Sequence, residues 1–162
     1  MGKKEAKTNA IRILETMKIP YEARTYECDD FVDAAQIADK LGLDHAGMYK
    51  TITTVGKSGG YYVFVVPIDD EIDFKKAAKA AGEKSIEMLH LKDLTKVTGY
   101  IRGGCTSIGM KKQYVTRIDE SAKTQEQIYV SGGRIGSQIQ LKPDDLAKAA
   151  KAEFADIIRH DN

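Results

Sequence analysis

"YKTITTVGKSGGYYVFVVP", residues 49–67, places two runs rich in β-branched and aromatic residues, YKTITTVG and YYVFVVP, on either side of a glycine-containing KSGG. Such side chains suit a pleated, half-buried surface, and glycine tolerates the backbone angles of a tight turn. The stretch therefore predicts a β-hairpin, and with it a sheet that the rest of the chain must cover.

Working outward, Ala6, Ala10, Ile11, Leu14 and Met17 fall at helical spacing and Pro20 closes the segment, which predicts an opening amphipathic helix. YEARTYE reads as a short strand, and AAQIADKLG as a helix capped by Asp33 and ended by Gly42. Beyond the hairpin, DFKKAAKAAG from Asp73 to Gly82 and LKDLTKVTG ending at Gly99 read as helices. QYVTRID, QIYVSGG and SQIQL are three further β-type runs, and PDDLAKAAKAEFADII, with Pro143 and two aspartates at its start, reads as a closing helix. This order favours an α+β fold with a mixed, largely antiparallel sheet over a regularly wound βαβ sheet.

With 162 residues, 42% of them hydrophobic, the chain has the size and composition of a single domain, read as spanning residues 1–162. Lys and Arg total 25 against 24 Asp and Glu, a net charge of +1. That balance excludes a protein that grips many phosphates unaided, so a nucleic-acid contact would be small or shared. Neither a secretory leader nor an apolar span is written in the sequence, and a cytoplasmic location is expected. Cys28 and Cys105 lie far apart with no CxxC, which excludes a zinc ribbon or a redox dithiol.

Several tempting motifs fail. GKS at 56–58 lacks the earlier glycine of a phosphate loop, because Thr51 stands there. SGGRIG at 131–136 has Ser131 in place of the first glycine of a dinucleotide fingerprint, and the strand-like SQIQL follows where a helix should open. Cys105 could begin a phosphatase loop, but Lys111 occupies the arginine position and cannot supply the planar bidentate grip. A thiolate needs activation, and while His45, His90 and His160 read as surface or helix-end residues, a Cys/His pair stays open. GYIRGGCTSIG and VSGGRIG remain as glycine stretches that leave main-chain groups accessible to a small polar ligand, or simply as tight turns.

The blocks GMYKTI, DFKKAAKAAGEKSIEM, TGYIRGGCTSIGMKK and IYVSGGRIG resemble, in content and order, the YbaK/EbsC-type Cys-tRNA(Pro) deacylases. These are free-standing relatives of the editing domain of bacterial prolyl-tRNA synthetase, and the resemblance runs from KTNAIRILE through FADIIR. It implies a barrel-like sheet flanked by helices, and cleavage of the ester in Cys-tRNA(Pro), with Cys-tRNA(Cys) as a further substrate, without metal or cofactor. It also implies as partners the acceptor end of a mischarged tRNA and a prolyl-tRNA synthetase, and no membrane. By resemblance, Lys50, Gly103 and Gly104 are catalytic, while Tyr26, Phe31, Thr51, Ser131 and Gln138 contact substrate.

Two positions depart from the family pattern: Ser107 stands where proline is usual, and Gln138 where an aspartate is often found. The mechanism implied has the substrate's own thiol attack its carbonyl to give a thiolactone, with backbone N–H groups at Gly103 and Gly104 facing the carbonyl oxygen. Cys105 is then a lining or core residue, and Tyr100, Arg102, Lys111 and Lys112 form a modest positive rim. Deacylation of another small amino acid such as alanine, or silent binding of aminoacyl-tRNA or nucleotide, are the alternatives.

Overall fold

In the computed structural model, residues 7–26 and 34–160 are described. Phe31, Cys28 and the cap expected at Asp33 lie outside these ranges. The helices are α1 (Asn9–Thr16), α2 (Ala34–Leu41), α3 (Phe74–Ala81), α4 (Leu94–Thr98) and α5 (Pro143–Ala150). The strands are β1 (Glu22–Thr25), β2 (Tyr49–Gly56), β3 (Tyr61–Pro67), β4 (Ile86–Met88), β5 (Val115–Asp119), β6 (Ile128–Ser131), β7 (Ser137–Leu141) and β8 (Glu153–Ala155).

The hairpin forms as β2 and β3, antiparallel from Tyr49 opposite Pro67 to Val55 opposite Tyr61. The strands form a five-stranded sheet in the order β4-β2-β3-β5-β8 and a three-stranded sheet in the order β1-β7-β6. Only β3 with β5 and β5 with β8 run parallel; the other strand pairs are antiparallel. The barrel-like sheet implied by resemblance resolves into these two open sheets, bridged between Met48 and Tyr129.

The unbroken run VFVV of β3 follows from its central place, because both faces of the strand are buried. Val65 points into a core shared with Leu14 of α1, Ile118 of β5, Ile139 of β7 and Leu146 of α5. Phe64 and Val66 meet Ala77 and Ala78 of α3 on the opposite face. A strand covered on both sides has no polar face to alternate with.

Helix ends follow their caps. Asp73 accepts from the amides of Lys75 and Lys76, and Gly82 closes α3 in the left-handed conformation, so DFKKAAKAAG folds as its residues predict. Two boundaries differ from expectation. α1 ends before Pro20, with Met17 as its C-cap and 41% exposed. The closing helix stops at Ala150, where Lys151 turns left-handed at φ 53° and the chain continues as β8 beside β5.

Candidate functional site

The site is a consequence of how β2 shares its two edges. Along the inner edge, even-numbered residues bond to β3: Ile68 N donates to Met48 O at 3.0 Å and Gly56 N to Gly60 O at 2.8 Å. An antiparallel ladder uses alternate residues, so odd-numbered residues present N–H and C=O to the outer edge. β4 occupies part of that edge, with Lys57 N on Ser85 O at 3.0 Å and Leu89 N on Thr53 O at 3.2 Å. β6 reaches the same edge only at the Met48–Tyr129 bridge. Between them neither β4 nor β6 covers the strand, and there lies a cavity of about 600 Å³.

Because the cavity wraps an open strand edge, successive residues line it although their side chains leave opposite faces. Met48, Tyr49, Lys50, Thr51, Ile52 and Thr53 all contribute. The Lys50 ammonium donates to Ile68 O at 3.3 Å, a long hydrogen bond that leaves other N–H donors for a ligand. Across the gap Ser131 ends β6, opposite Gln138 of β7 in the ladder, and both line the cavity. Gln138 is 4% exposed and its Oε1 has no partner among the described residues. Tyr26 joins them from the end of β1, its amide bonded to Gly136 O at 2.9 Å.

Sequence reasoning missed the third wall. Met88, Leu89, Leu91 and Leu94 line the cavity where β4 leaves the sheet, and Met88 and Leu91 are 51% and 56% exposed. In EMLHLKDL these apolar residues carry no motif, and only the departure of β4 from β2 makes them a wall. Thr53, Ser137 and Arg102 are also in the lining.

The two glycine stretches stand back to back. Gly103 is left-handed at φ 84° and lines the cavity. Gly104 is absent from the lining, and its amide is donated to Ile101 O at 2.9 Å, so of the two glycines expected to meet a substrate Gly103 is the one that borders the cavity. A Cβ on Gly104 would lie 2.6 Å from Arg134 Cα, so this glycine instead lets the first loop close on the second. α1 braces both loops. The Thr8 hydroxyl accepts from Ile11 N and donates to Gly132 O, and Asn9 Nδ2 donates to Gly109 O at 3.0 Å. Ser107 faces a second cavity behind the loop, with Lys111 and Lys112, so this departure from the family pattern lies outside the main site.

Cys105 lines the cavity, but burial pushes its thiol up to about 11, with the Thr98 and Thr53 hydroxyls opposing that shift. At neutral pH it is a thiol rather than a nucleophile. No histidine activates it: His45 is held by Asp39 and Asp69 at 2.9 Å each, His160 by Asp156 at 2.9 Å, and His90 is exposed. Tyr100 is a structural neighbour, its hydroxyl on Ile108 O at 2.5 Å. Among the described residues no three His, Cys, Asp or Glu side chains are grouped to hold a metal, and no helix is long and apolar enough to cross a membrane.

The cavity thus combines an ammonium, a left-handed glycine loop and an open strand edge with a thiol that is protonated at neutral pH. Residues 28–149 match the family model described as "Aminoacyl-tRNA editing domain", and the chain belongs to that family. It is 45% identical to the Enterococcus faecalis protein named "Putative Cys-tRNA(Pro)/Cys-tRNA(Cys) deacylase EbsC", covering 96% of this chain and 95% of the relative. It is 26% identical to the uncharacterized Bacillus subtilis protein YwhH over 70% of this chain and 71% of the relative. A crystal structure described as a "putative trans-editing enzyme for prolyl tRNA synthetase" superposes with a TM-score of 0.80 at 20% identity, covering 96% of this chain and all of that one, which shows the shared fold.

Proposed function

We propose that this chain, as one editing domain over residues 1–162, is a trans-editing deacylase that clears cysteine from tRNA(Pro), with Cys-tRNA(Cys) as a further substrate. The observation that carries the reading is a site with an ammonium that keeps spare donors and with no activated nucleophile among its described residues, the thiol of Cys105 being held protonated. The attacking group then comes from the substrate. Its side-chain sulfur, giving up a proton, forms a bond to the ester carbonyl carbon; the C–O bond to the ribose breaks; and the ribose oxygen leaves as a hydroxyl carrying a proton. The products are a cyclic thiolactone and free tRNA. Proximity within one residue replaces an enzymic nucleophile.

Lys50 Nζ offsets charge growing on the carbonyl and ribose oxygens, and Gly103 N–H donates to the same region. Gln138 Oε1 is a buried acceptor for the substrate's amine or thiol hydrogen, Ser131 and Thr51 frame the acyl group, and Tyr26, with Phe31, offers an aromatic face to the terminal adenine. The balanced charge of the chain supports a division of labour in which a prolyl-tRNA synthetase in the cytoplasm supplies tRNA selection.

Purified protein incubated with cysteinyl- and alanyl-tRNA(Pro) tests the reading. Cysteine is expected to be released and alanine, which cannot cyclise, to be retained; Lys50→Ala is expected to lose roughly 10²-fold or more in rate while Cys105→Ala stays active. Equal loss of both amino acids, or an inactive Cys105→Ala, overturns the substrate-thiol mechanism.

A further inference from the structure

The uncovered part of β2 has a specific hydrogen-bonding vacancy. Thr53 O receives Leu89 N on the outer edge, so the N–H and C=O of Thr51, two residues earlier, face the same side. Continuing the β2–β4 register would set Leu91 opposite Thr51, but after Leu89 the chain turns away into a short 3-10 segment at Leu91–Asp93. At the other end the ladder with β6 amounts to a single bridge, between Met48 and Tyr129. Thr51 sits opposite Val65 at a non-hydrogen-bonded position of the β2–β3 ladder and beyond the reach of β4, so both its main-chain groups face the outer edge, where the cavity lies. Unpaired main-chain groups in a recess are costly unless something completes them.

We infer that the aminoacyl group of the substrate completes this ladder as a single-residue strand, its carbonyl oxygen accepting from Thr51 N–H and its α-ammonium donating to Thr51 C=O. The inference rests on the function proposed above and adds the element that fixes the acyl group's orientation. An α-amino acid ester carries one N–H-bearing nitrogen and one carbonyl on the same α-carbon, the pair of groups that a residue in a hydrogen-bonded antiparallel pair presents to its neighbour. Both side-chain directions are then set. With its backbone held parallel to the edge, the acyl residue must project its side chain to one face of β2, as a strand residue does. Thr51 N–H also supplies the second amide donor that Gly104, bonded to Ile101, does not.

The vacancy permits an unusual test. The N–H of residue 51 takes no part in bonding to β3, so Thr51→Pro removes the outward donor while leaving the inner ladder intact, as proline is tolerated where its missing N–H faces off the sheet. Thr51→Val keeps the donor and the side-chain shape. The expected result is a loss of roughly 10²–10³ in kcat on cysteinyl-tRNA(Pro) for Thr51→Pro, at least tenfold beyond whatever loss Thr51→Val shows from the side chain alone. The second measurement follows the Thr51 amide by ¹H–¹⁵N NMR in the wild-type protein during titration with 3′-cysteinylamino-3′-deoxyadenosine, a non-cleavable amide of the same acyl group. A downfield shift of the Thr51 proton that saturates with the ligand is expected.

A folded, fully active Thr51→Pro, an equal loss in Thr51→Val, or a Thr51 amide that does not move on saturation each overturns the pairing. If Thr51→Pro fails to fold, the NMR titration decides alone. Wild type inactive on cysteinyl-tRNA but with a shifting Thr51 amide would overturn the proposed function while the pairing stands. Wild type active with a stationary Thr51 amide would do the reverse.

Discussion

Two residues of the glycine loop have roles set by their surroundings rather than by their reactivity. Gly104 fits only because it has no side chain: a methyl group there meets Arg134 Cα at 2.6 Å and the Ile135 amide at 2.8 Å, both main chain that cannot swing aside. Gly104→Ala is expected to cost about 1–3 kcal/mol in urea denaturation and to lower activity by parting the two loops. Cys105 is the opposite case, a reactive residue type made inert. With its thiol raised to about 11, iodoacetamide labelling at that position, followed by peptide mass, is expected to be slow at pH 7 and to climb through pH 10. Rapid labelling at neutral pH would show a thiolate there. The GG pair was legible as a family motif, but not that one glycine lines the cavity and the other packs on Arg134, because that split depends on a loop about thirty residues later.

At the scale of elements, α1 acts as a brace. Thr8 both caps the helix and reaches Gly132 O, so Thr8→Val removes an N-cap and a tether together while keeping the shape of the side chain. A stability loss of about 1–2 kcal/mol is expected, with a fall in kcat that exceeds any change in KM; unchanged turnover would separate the brace from the site. α2 is fastened differently, by His45 between Asp39 of that helix and Asp69 after β3. Hydrogen bonds to Asp39 and then Asp69 raise the His45 pKa above its ordinary 6.5. A group raised on folding stabilises fully below its unfolded value and loses that effect as pH rises through the folded one. The Tm difference between wild type and His45→Gln should therefore be greatest below about pH 6.5 and shrink as the pH rises above it. A gap that widens with pH would reverse the sign. The capped helices α1 and α3 were legible because their signals are local, whereas the three-residue strands β4 and β8 were not. β8 hides inside a helical pattern, AKAAKAEFA, since Lys151 adopts a left-handed cap that glycine usually announces.

For the whole molecule, the C-terminal segment closes the larger sheet through a buried carboxylate. Asp119, 1% exposed at the end of β5, accepts from Ser121 N and from Ile157 N, each at 3.1 Å. Asp119→Ala leaves two amides without partners, and a loss of about 2–4 kcal/mol is expected in chemical denaturation, with Asp119→Asn losing less because one oxygen remains. The overall class, α+β with a mostly antiparallel sheet, was readable from the hairpin and the late run of strands, but the division into two sheets was not. It depends on where β6 touches β2, at the Met48–Tyr129 bridge, and pairing between distant segments leaves no local trace. That division has a last consequence. An exposed strand edge ordinarily recruits other polypeptides, since any extended chain can continue the ladder. Here β4 and β6 cover the flanks and leave a window only a few residues long, too short to seat the several consecutive residues that an added strand needs. Among the described residues, the open edge beside the cavity therefore has a length that suits a single amino acid and is too short for self-association through an added strand.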